Sequence, residues 1–350
     1  MTVNYIGADV HSKTTNFAVE RNGQIVKEFC IPTSLAAWRE TLKEIHGQKK
    51  LVIEEGTMAG WLYRNLKDTV DEFIVCDPRR NSLITQDGDK TDEIDARKLA
   101  ELLRGGHIRK IYKSDDEDRI LFKNWVSLYH DRIRDAVRQG HKLRDRCRLY
   151  GVHLPRSVRE SPQRCDEWLA KQPSDLRNQI EVILIGFEAV CKQVKKTKNM
   201  ICKLSLKYPI ISYWSKLPGI GPIRSATFYA YMDTPYRFSD PKKVWKYCGV
   251  GLQIATTGKD KYGRPKRGKQ QLAWAVNRRL KDVAIGMANS AINQRKNIFY
   301  SYYERMLKDG ATYSNARHQT ARKMLSVMWG MWKNNGRFDE KLAFDQSGKN

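Results

Sequence analysis

The stretch "NYIGADVHSKTTNFAVERNGQIVKEFCI" (4–31) decides how this chain folds. Residues 4–10 are a short, mostly apolar run that ends in an acid, Asp9. "TTNFAVE" (14–20) and "QIVKEFCI" (24–31) flank "RNG", a tight-turn signal, and read as a β-hairpin. Three strands in succession, the first leaving through a carboxylate, announce a sheet whose edge carries charge.

The next segments alternate helix and strand. "TSLAAWRETLKEIHG" (33–47) opens on a capping residue and continues with helical period. "KLVIEEG" (50–56) is a strand that also ends in acids, "AGWLYRNLKDT" (59–69) a helix, and "DEFIVCDP" (71–78) a strand closed by proline. "KTDEIDARKLAELLRGG" (90–106) reads as a helix ending at paired glycines. A hairpin followed by βαβα units predicts a mixed α/β sheet with helices packed on it.

The middle of the chain has another rhythm. Phe122, Val126, Tyr129, Ile133, Ala136, Gly140, Leu143 and Cys147 alternate by four and three. So do Leu176, Ile180, Ile183, Phe187, Val190, Val194, Thr197, Ile201 and Leu204. These are heptad stripes, and the proline-bearing "YGVHLPRSVRESPQRC" lies between them. They predict a coiled-coil hairpin or dimerisation arm, with two ordinary core helices as the plainer reading. The last third begins at "SKLPGIGPIRSATFYAYM" (215–232), passes through "DPKKVWKYCGVG" (240–251) and the basic "TTGKDKYGRPKRGKQ" (256–270), and is helical to about residue 335. "FDQSGKN" reads as a loose tail.

The chain has 350 residues and a formal net charge of +25, which makes a polyanion, nucleic acid above all, its expected partner. No run has the length and apolarity of a spanning helix, and the N-terminus lacks the pattern of a secretory signal. The expectation is a cytoplasmic, nucleoid-associated protein with no membrane partner. Seven scattered cysteines without a CxxC pair predict reduced thiols, not a zinc site.

Against this basic background the acids stand out. Asp9 ends a strand, and Glu54 and Glu55 end another. Asp92 and Asp95, at i and i+3, share one side of a helix start. Strand ends and helix starts meet at one edge of an α/β sheet, where such folds place their sites. Clustered carboxylates repel unless a cation lies between them, and hard oxygen donors select Mg²⁺ or Mn²⁺. A plainer role is open for two of them: Asp92 as an acid at the helix N-terminus and Asp95 as a partner of the helix dipole.

"YIGADVHSKTTNFAVE", "VIEEGTMAGWLY", "KTDEIDARKLAELLR" and "LPGIGPIRSATFYAY…WKYCGVG", in this order, resemble the DEDD-type insertion-sequence transposases. These are bridge-RNA-guided recombinases related to the Piv DNA invertases. The resemblance implies a RuvC-like, RNase H-type catalytic domain over 1–112. It implies coiled-coil, dimerising and RNA-binding helices over 113–208, then a mainly helical C-terminal transposase domain over 209–340 and a tail over 341–350. The acids matching the family motif are Asp9, Glu54, Asp92 and Asp95, with Glu55 the register alternative to Glu54. They would hold Mg²⁺ (or Mn²⁺). The family's nucleophile is a serine shortly after a "YCGL"-like segment; here Thr256, Thr257 and Gly258 follow "YCGVGLQIA". The alignment favours Thr257, with Thr256 as its neighbour and Tyr262 as a different hydroxyl. A chain altered so that strand transfer is lost is the remaining reading. The resemblance further implies target and donor DNA, a structured noncoding guide RNA, and a homo-oligomer: a dimer, and a tetramer on DNA.

Three further features bear on nucleic acid. "LPGIGPIRSA" resembles a helix-hairpin-helix turn, whose glycines would let backbone N–H groups approach a phosphate. Lys259, Lys261, Arg264, Lys266, Arg267 and Lys269 alternate with glycines, a pattern that lets cations follow a phosphate backbone, while Tyr262 is placed to stack. Arg278 and Arg279 extend this basic character into the next helix. The middle helix is dense in Arg132, Arg134, Arg138, Lys142, Arg144, Arg146 and Arg148, and the resemblance implies an RNA grip there. A metal-dependent junction nuclease using water, or a domesticated homologue that binds without recombining, are the rival functions.

Overall fold

The computed structural model describes residues 2–78, 91–159, 161–255, 269–272, 276–340 and 344. The chain forms two compact units, Met1–Asp115 and Asp116–Asn350.

The first unit is a five-stranded mixed sheet. Its strands are β1 (Val3–Val10), β2 (Thr14–Arg21), β3 (Gln24–Pro32), β4 (Gln48–Glu54) and β5 (Glu72–Cys76), in the order β3-β2-β1-β4-β5. β2 pairs antiparallel with β1 and β3, while β4 runs parallel to both β1 and β5. Asn22 and Gly23 both take positive φ between β2 and β3, the two-residue turn that the Asn-Gly pair favours. Parallel pairing requires crossovers, which α1 (Leu35–Glu44) and α2 (Ala59–Leu66) supply. Both pack on one face of the sheet, where Trp38, Leu42, Leu62 and Leu66 cover Ile6, Ala8, Leu51 and Ile53.

The other face takes α3 (Asp92–Arg104), whose Leu99, Leu102 and Leu103 lie on Val52, Ile74 and Cys76. Gly7 permits the close approach. A Cβ there would meet the Ala96 carbonyl oxygen at 2.1 Å and the Ala100 nitrogen at 2.6 Å. Arg97 pairs with Glu28 on β3, and Arg104 with the buried Glu20 on β2, so the middle and the C-terminal end of α3 are tied to the hairpin. This α/β unit fits the RuvC-like expectation.

The second unit is mainly helical. The two heptad stripes lie on long helices, α4 (Glu117–Leu149) and α6 (Ser174–Ser205), joined through α5 (Pro162–Leu169). Arg132 bonds Gln193 at 3.2 Å, Tyr150 bonds Gln179 at 2.9 Å and Asp118 pairs with Lys207 at 3.0 Å, so the two helices run antiparallel. Leu143, Cys147, Leu176 and Ile180 form a small core with Cys165 and Leu169 at one end of the pair. At the other end Phe122, Val126 and Ile201 enter the main core. That core is completed by α7 (Pro209–Ser215), α8 (Gly221–Met232), α9 (Pro241–Tyr247), α10 (Arg278–Gln294), α11 (Ile298–Lys308) and α12 (Tyr313–Lys333). The helices expected as a separate middle domain thus share a continuous core with the C-terminal helices. A two-stranded ribbon, β6 (Leu252–Ala255) and β7 (Lys269–Leu272), brackets the basic stretch. Of the expected tail, 341–350, only Phe344 is among the described residues.

Candidate functional site

Side chains alternate along a strand, so Gly7, which faces α3, brings Asp9 to the same face. Ala8 pairs with Ile53 in the parallel register, making Asp9 and Glu54 the next positions on adjacent strands. Val52 faces α3, and alternation puts Glu54 there too. Glu55 is engaged elsewhere, in an ion pair with Lys113. Asp92 and Asp95 reach this face from α3. Thr91 caps that helix by accepting a hydrogen bond from the Ile94 N–H at 3.4 Å, which sets both acids in the first turn.

One residue in this site was not found from the sequence. His11, just past the end of β1, places Nε2 2.9 Å from Asp9 Oδ2 and 3.4 Å from Asp92 Oδ1. Donor atoms of Asp9, His11 and Asp92 all lie within 4.8 Å of one another. Glu54 and Asp95 stand outside that tight group of three. The available signal was spacing: Asp9 and His11 are i and i+2, positions that share a face where a strand continues.

The electrostatics match this crowding. Burial pushes the Asp9 carboxyl above its ordinary value, the His11 bond and charge oppose that, and the charges of Asp92 and Asp95 add to it. The hydrogen bond that His11 donates to Asp9, with the Asp9 and Asp92 charges behind it, holds the imidazole above its usual value. Asp95 Oδ1 is buried and accepts no hydrogen bond among the described residues. A buried carboxylate oxygen without a donor carries an unmet demand for positive charge. The donor set therefore fits a divalent cation.

In the second unit the basic residues divide. Thr256, Thr257, Lys259, Lys261, Tyr262, Arg264, Lys266 and Arg267 lie outside the described residues. Lys269 opens β7 opposite Ala255, and Arg278 is exposed at the start of α10. Arg279 is committed internally: it pairs with Asp131 at 3.0 Å, donates to the Ser127 carbonyl at 3.2 Å and covers the Tyr231 ring. Several middle-helix arginines are likewise paired at i, i+3 on their own helix. The pairs are Arg134 with Asp131, Arg132 and Arg138 with Asp135, and Arg148 with Asp145. The "PGIG" turn spends its first glycine on packing, since a Gly219 Cβ would meet the Met287 carbonyl oxygen at 2.5 Å.

Two family models match the chain. One, described as transposase and named for the DEDD transposases of IS110, covers residues 6–150. The other, described as transposase IS116/IS110/IS902 family, covers residues 213–304. The chain belongs to the DEDD-type IS110 transposases. No match was found among curated proteins. An IS110-family transposase is a DNA transposase or recombinase, and its family implies use of a divalent metal. The first match contains all four carboxylates and His11; the second contains the "PGIG" turn and the basic stretch. Among the described residues no helix is long and apolar enough to cross a membrane.

Proposed function

We propose that this transposase is an RNA-guided DNA recombinase whose metal centre is built from Asp9, Glu54, Asp92 and Asp95. The observation that carries the reading is the meeting of Asp9 and Asp92, remote in sequence, around one imidazole on the α3 face of the sheet. Glu54 is preferred to Glu55 because alternation places it on that face, while Glu55 is held by Lys113. Bound there, Mg²⁺ or Mn²⁺ would supply Lewis-acid stabilisation of charge on the scissile phosphodiester.

The chain's own groups do the rest. Asp9 and Glu54, on neighbouring strands, give the site a rigid floor. Asp92 and Asp95 close it from the first turn of a helix tied down at its middle and its C-terminal end. The Thr257 hydroxyl, one carbon more crowded than the family's serine, attacks phosphorus. A threonine–phosphate ester forms as a DNA ester bond breaks, so bond energy is conserved and strands rejoin without ATP. Thr256 and Tyr262 are the neighbouring hydroxyls. Lys259, Lys261, Arg264, Lys266, Arg267, Lys269 and Arg278 follow the DNA backbone. Arg279 acts indirectly, by tying α10 to α4. A guide RNA pairs with target and donor DNA and sets the sequence read. The functional segments are 1–112, 113–208 and 209–340, with the antiparallel α4–α6 pair building a dimer that becomes a tetramer on DNA. The protein works in the cytoplasm, on the nucleoid.

The test is to purify the protein with its associated RNA, sequence that RNA, and trap protein on nicked DNA in Mg²⁺. Asp9→Asn is expected to cut cleavage about a thousandfold, the several kcal/mol that a metal centre contributes. Thr257→Ala is expected to abolish the covalent adduct. Full cleavage by Thr257→Ala would favour a nuclease that uses water, a reading supported by threonine standing where the family has serine. Undiminished DNA binding without recombinant product would favour the domesticated homologue, and protein free of structured RNA would remove the guide.

A further inference from the structure

The acids of this site read as an all-oxygen donor set, yet the side chain standing between two of them carries nitrogen. We propose that His11 is itself a ligand of the divalent cation, through Nε2, and that this makes the site favour Mn²⁺ over Mg²⁺. The inference rests on reading the acids as a metal centre and adds the residue that sets its metal preference.

Three observations carry it. The first is spacing. Ligands adjacent on an octahedral ion with bonds of about 2.1 Å stand about 3 Å apart. His11 Nε2 lies 2.9 Å from Asp9 Oδ2 and 3.4 Å from Asp92 Oδ1, near that edge length on both sides. The second is aim. Nε2 is the ring atom turned to both carboxylates, so the nitrogen able to ligate already faces the acids. The third is support. The His11 N–H donates to the Thr14 carbonyl at 3.0 Å, and the His11 carbonyl accepts from Thr33 Oγ1 at 2.9 Å. Thr33 Oγ1 is itself bonded to Thr15 Oγ1 at 2.8 Å. The backbone beneath the ring is thus fastened to β2 and to the residue that follows β3, as a preorganised ligand requires.

The chemistry gives the direction. Mg²⁺ is hard, holds its water and gains little from imidazole, whereas first-row transition ions accept nitrogen more readily. One imidazole among carboxylates therefore shifts preference toward Mn²⁺ without excluding Mg²⁺. The competing role for His11 is a counter-ion that lies between the acids only until a metal displaces it. The two roles differ in one measurable respect: a ligand nitrogen stays bonded to the loaded ion.

Pulsed electron paramagnetic resonance on the full-length protein with bound Mn²⁺ reads this directly. A ¹⁴N coupling of imidazole type is expected in the wild-type protein and not in His11→Gln or His11→Ala. Titrating bound Mn²⁺ with Mg²⁺ should show preference for Mn²⁺ falling about tenfold in both variants, within the range typical of lost metal-site support. Mn²⁺ bound without nitrogen coupling overturns His11 as a ligand and leaves the carboxylate centre standing. Coupling and preference that persist in His11→Gln overturn it as well. A wild-type protein that takes up no Mn²⁺ removes the metal centre and His11 together. Circular dichroism confirms that each variant is folded, and the wild-type spectrum decides the matter without any variant.

Discussion

In the first unit a helix lies on a sheet where Gly7 offers no side chain; in the second a turn lies on a helix where Gly219 offers none. The mechanical device is the same and its consequence differs. Gly7 stands two residues before Asp9, and the atoms it faces belong to Ala96, directly after Asp95, and to Leu99 and Ala100 one turn further on. The contact that holds α3 to the sheet also sets the spacing of the carboxylates. Gly219 touches Met287 and Ala291 in the middle of α10, while the basic stretch is bracketed by its own ribbon, β6 and β7. The first unit seats its carboxylates through its packing, whereas in the second the described residues flanking the basic stretch pair with each other in a ribbon of their own.

The strongest way to break this comparison is to add one methyl group at each glycine. Gly7→Ala forces a carbon into backbone atoms that cannot yield, and is expected to cost about 3 kcal/mol or more. Gly219→Ala meets a similar overlap at φ +81°, where an L side chain is strained as well, and should cost at least as much. Chemical denaturation reads both. Mn²⁺ binding separates them: Gly7→Ala should lose it while still folded at low temperature, and Gly219→Ala should keep it. Equal metal affinity in the two variants would show that the carboxylates do not depend on how α3 is seated.

Two histidines report the same contrast as charge. His11 stands between carboxylates and is held above its usual value. His130, on α4, gives its Nε2 to Thr227 Oγ1 at 2.9 Å, and that hydroxyl donates onward to the Ile223 carbonyl at 2.8 Å. Thr227 must then accept from an Nε2–H. Burial, with Arg279 adding to it, lowers the His130 imidazole to about 4. Between pH 6.5 and 4 the unfolded chain takes up a proton that the folded chain refuses, so falling pH favours unfolding across that window. Discounted for partial exposure, the loss is about 2 kcal/mol, complete below pH 4. His130→Gln keeps a donor to Thr227 and should flatten the pH dependence of the melting temperature in that range. An unchanged slope would mean that His130 does not sense its surroundings in this way.

The same contrast explains what could be read beforehand. Strand and helix ends converge on one sheet edge for any chain of this pattern, so the meeting of Asp9 and Asp92 could be expected from spacing, while Asp95 stands outside their tight group. Glu54 and Glu55 abut, and spacing cannot choose between them; the preference proposed for Glu54 rests on Val52 being seated against α3 and on Glu55 being paired with Lys113. His11 went unread because a lone histidine after a strand carries no ligand signature, although the i, i+2 relation to Asp9 was there. The heptad stripes gave the long helices closely. Their core, shared with the C-terminal helices through Phe122, Val126 and Ile201, depends on long-range contacts that periodicity does not encode. Counting arginines on α4 left out their neighbours: Asp131, Asp135 and Asp145 stand at i, i+3 from four of them, in pairs open to solvent that periodicity does not announce.

A finer test uses the caps of the two helices. Thr91 opens α3 by accepting from Ile94 N–H, and Asn277 opens α10 by accepting from Leu280 N–H at 3.1 Å. Losing either cap should cost about 1 kcal/mol. Thr91→Ala and Asn277→Ala are therefore expected to shift the denaturation midpoint by similar small amounts, and Thr91→Ser to restore it. Their effects on metal should diverge. Asp92 follows Thr91 directly, and a frayed first turn lets its carboxylate leave the group it forms with Asp9 and His11. Mn²⁺ affinity should fall several-fold in Thr91→Ala and stay level in Asn277→Ala. A Thr91→Ala protein that binds Mn²⁺ as tightly as wild type would show that Asp92 is held from the sheet side, by His11, and not by the start of its own helix.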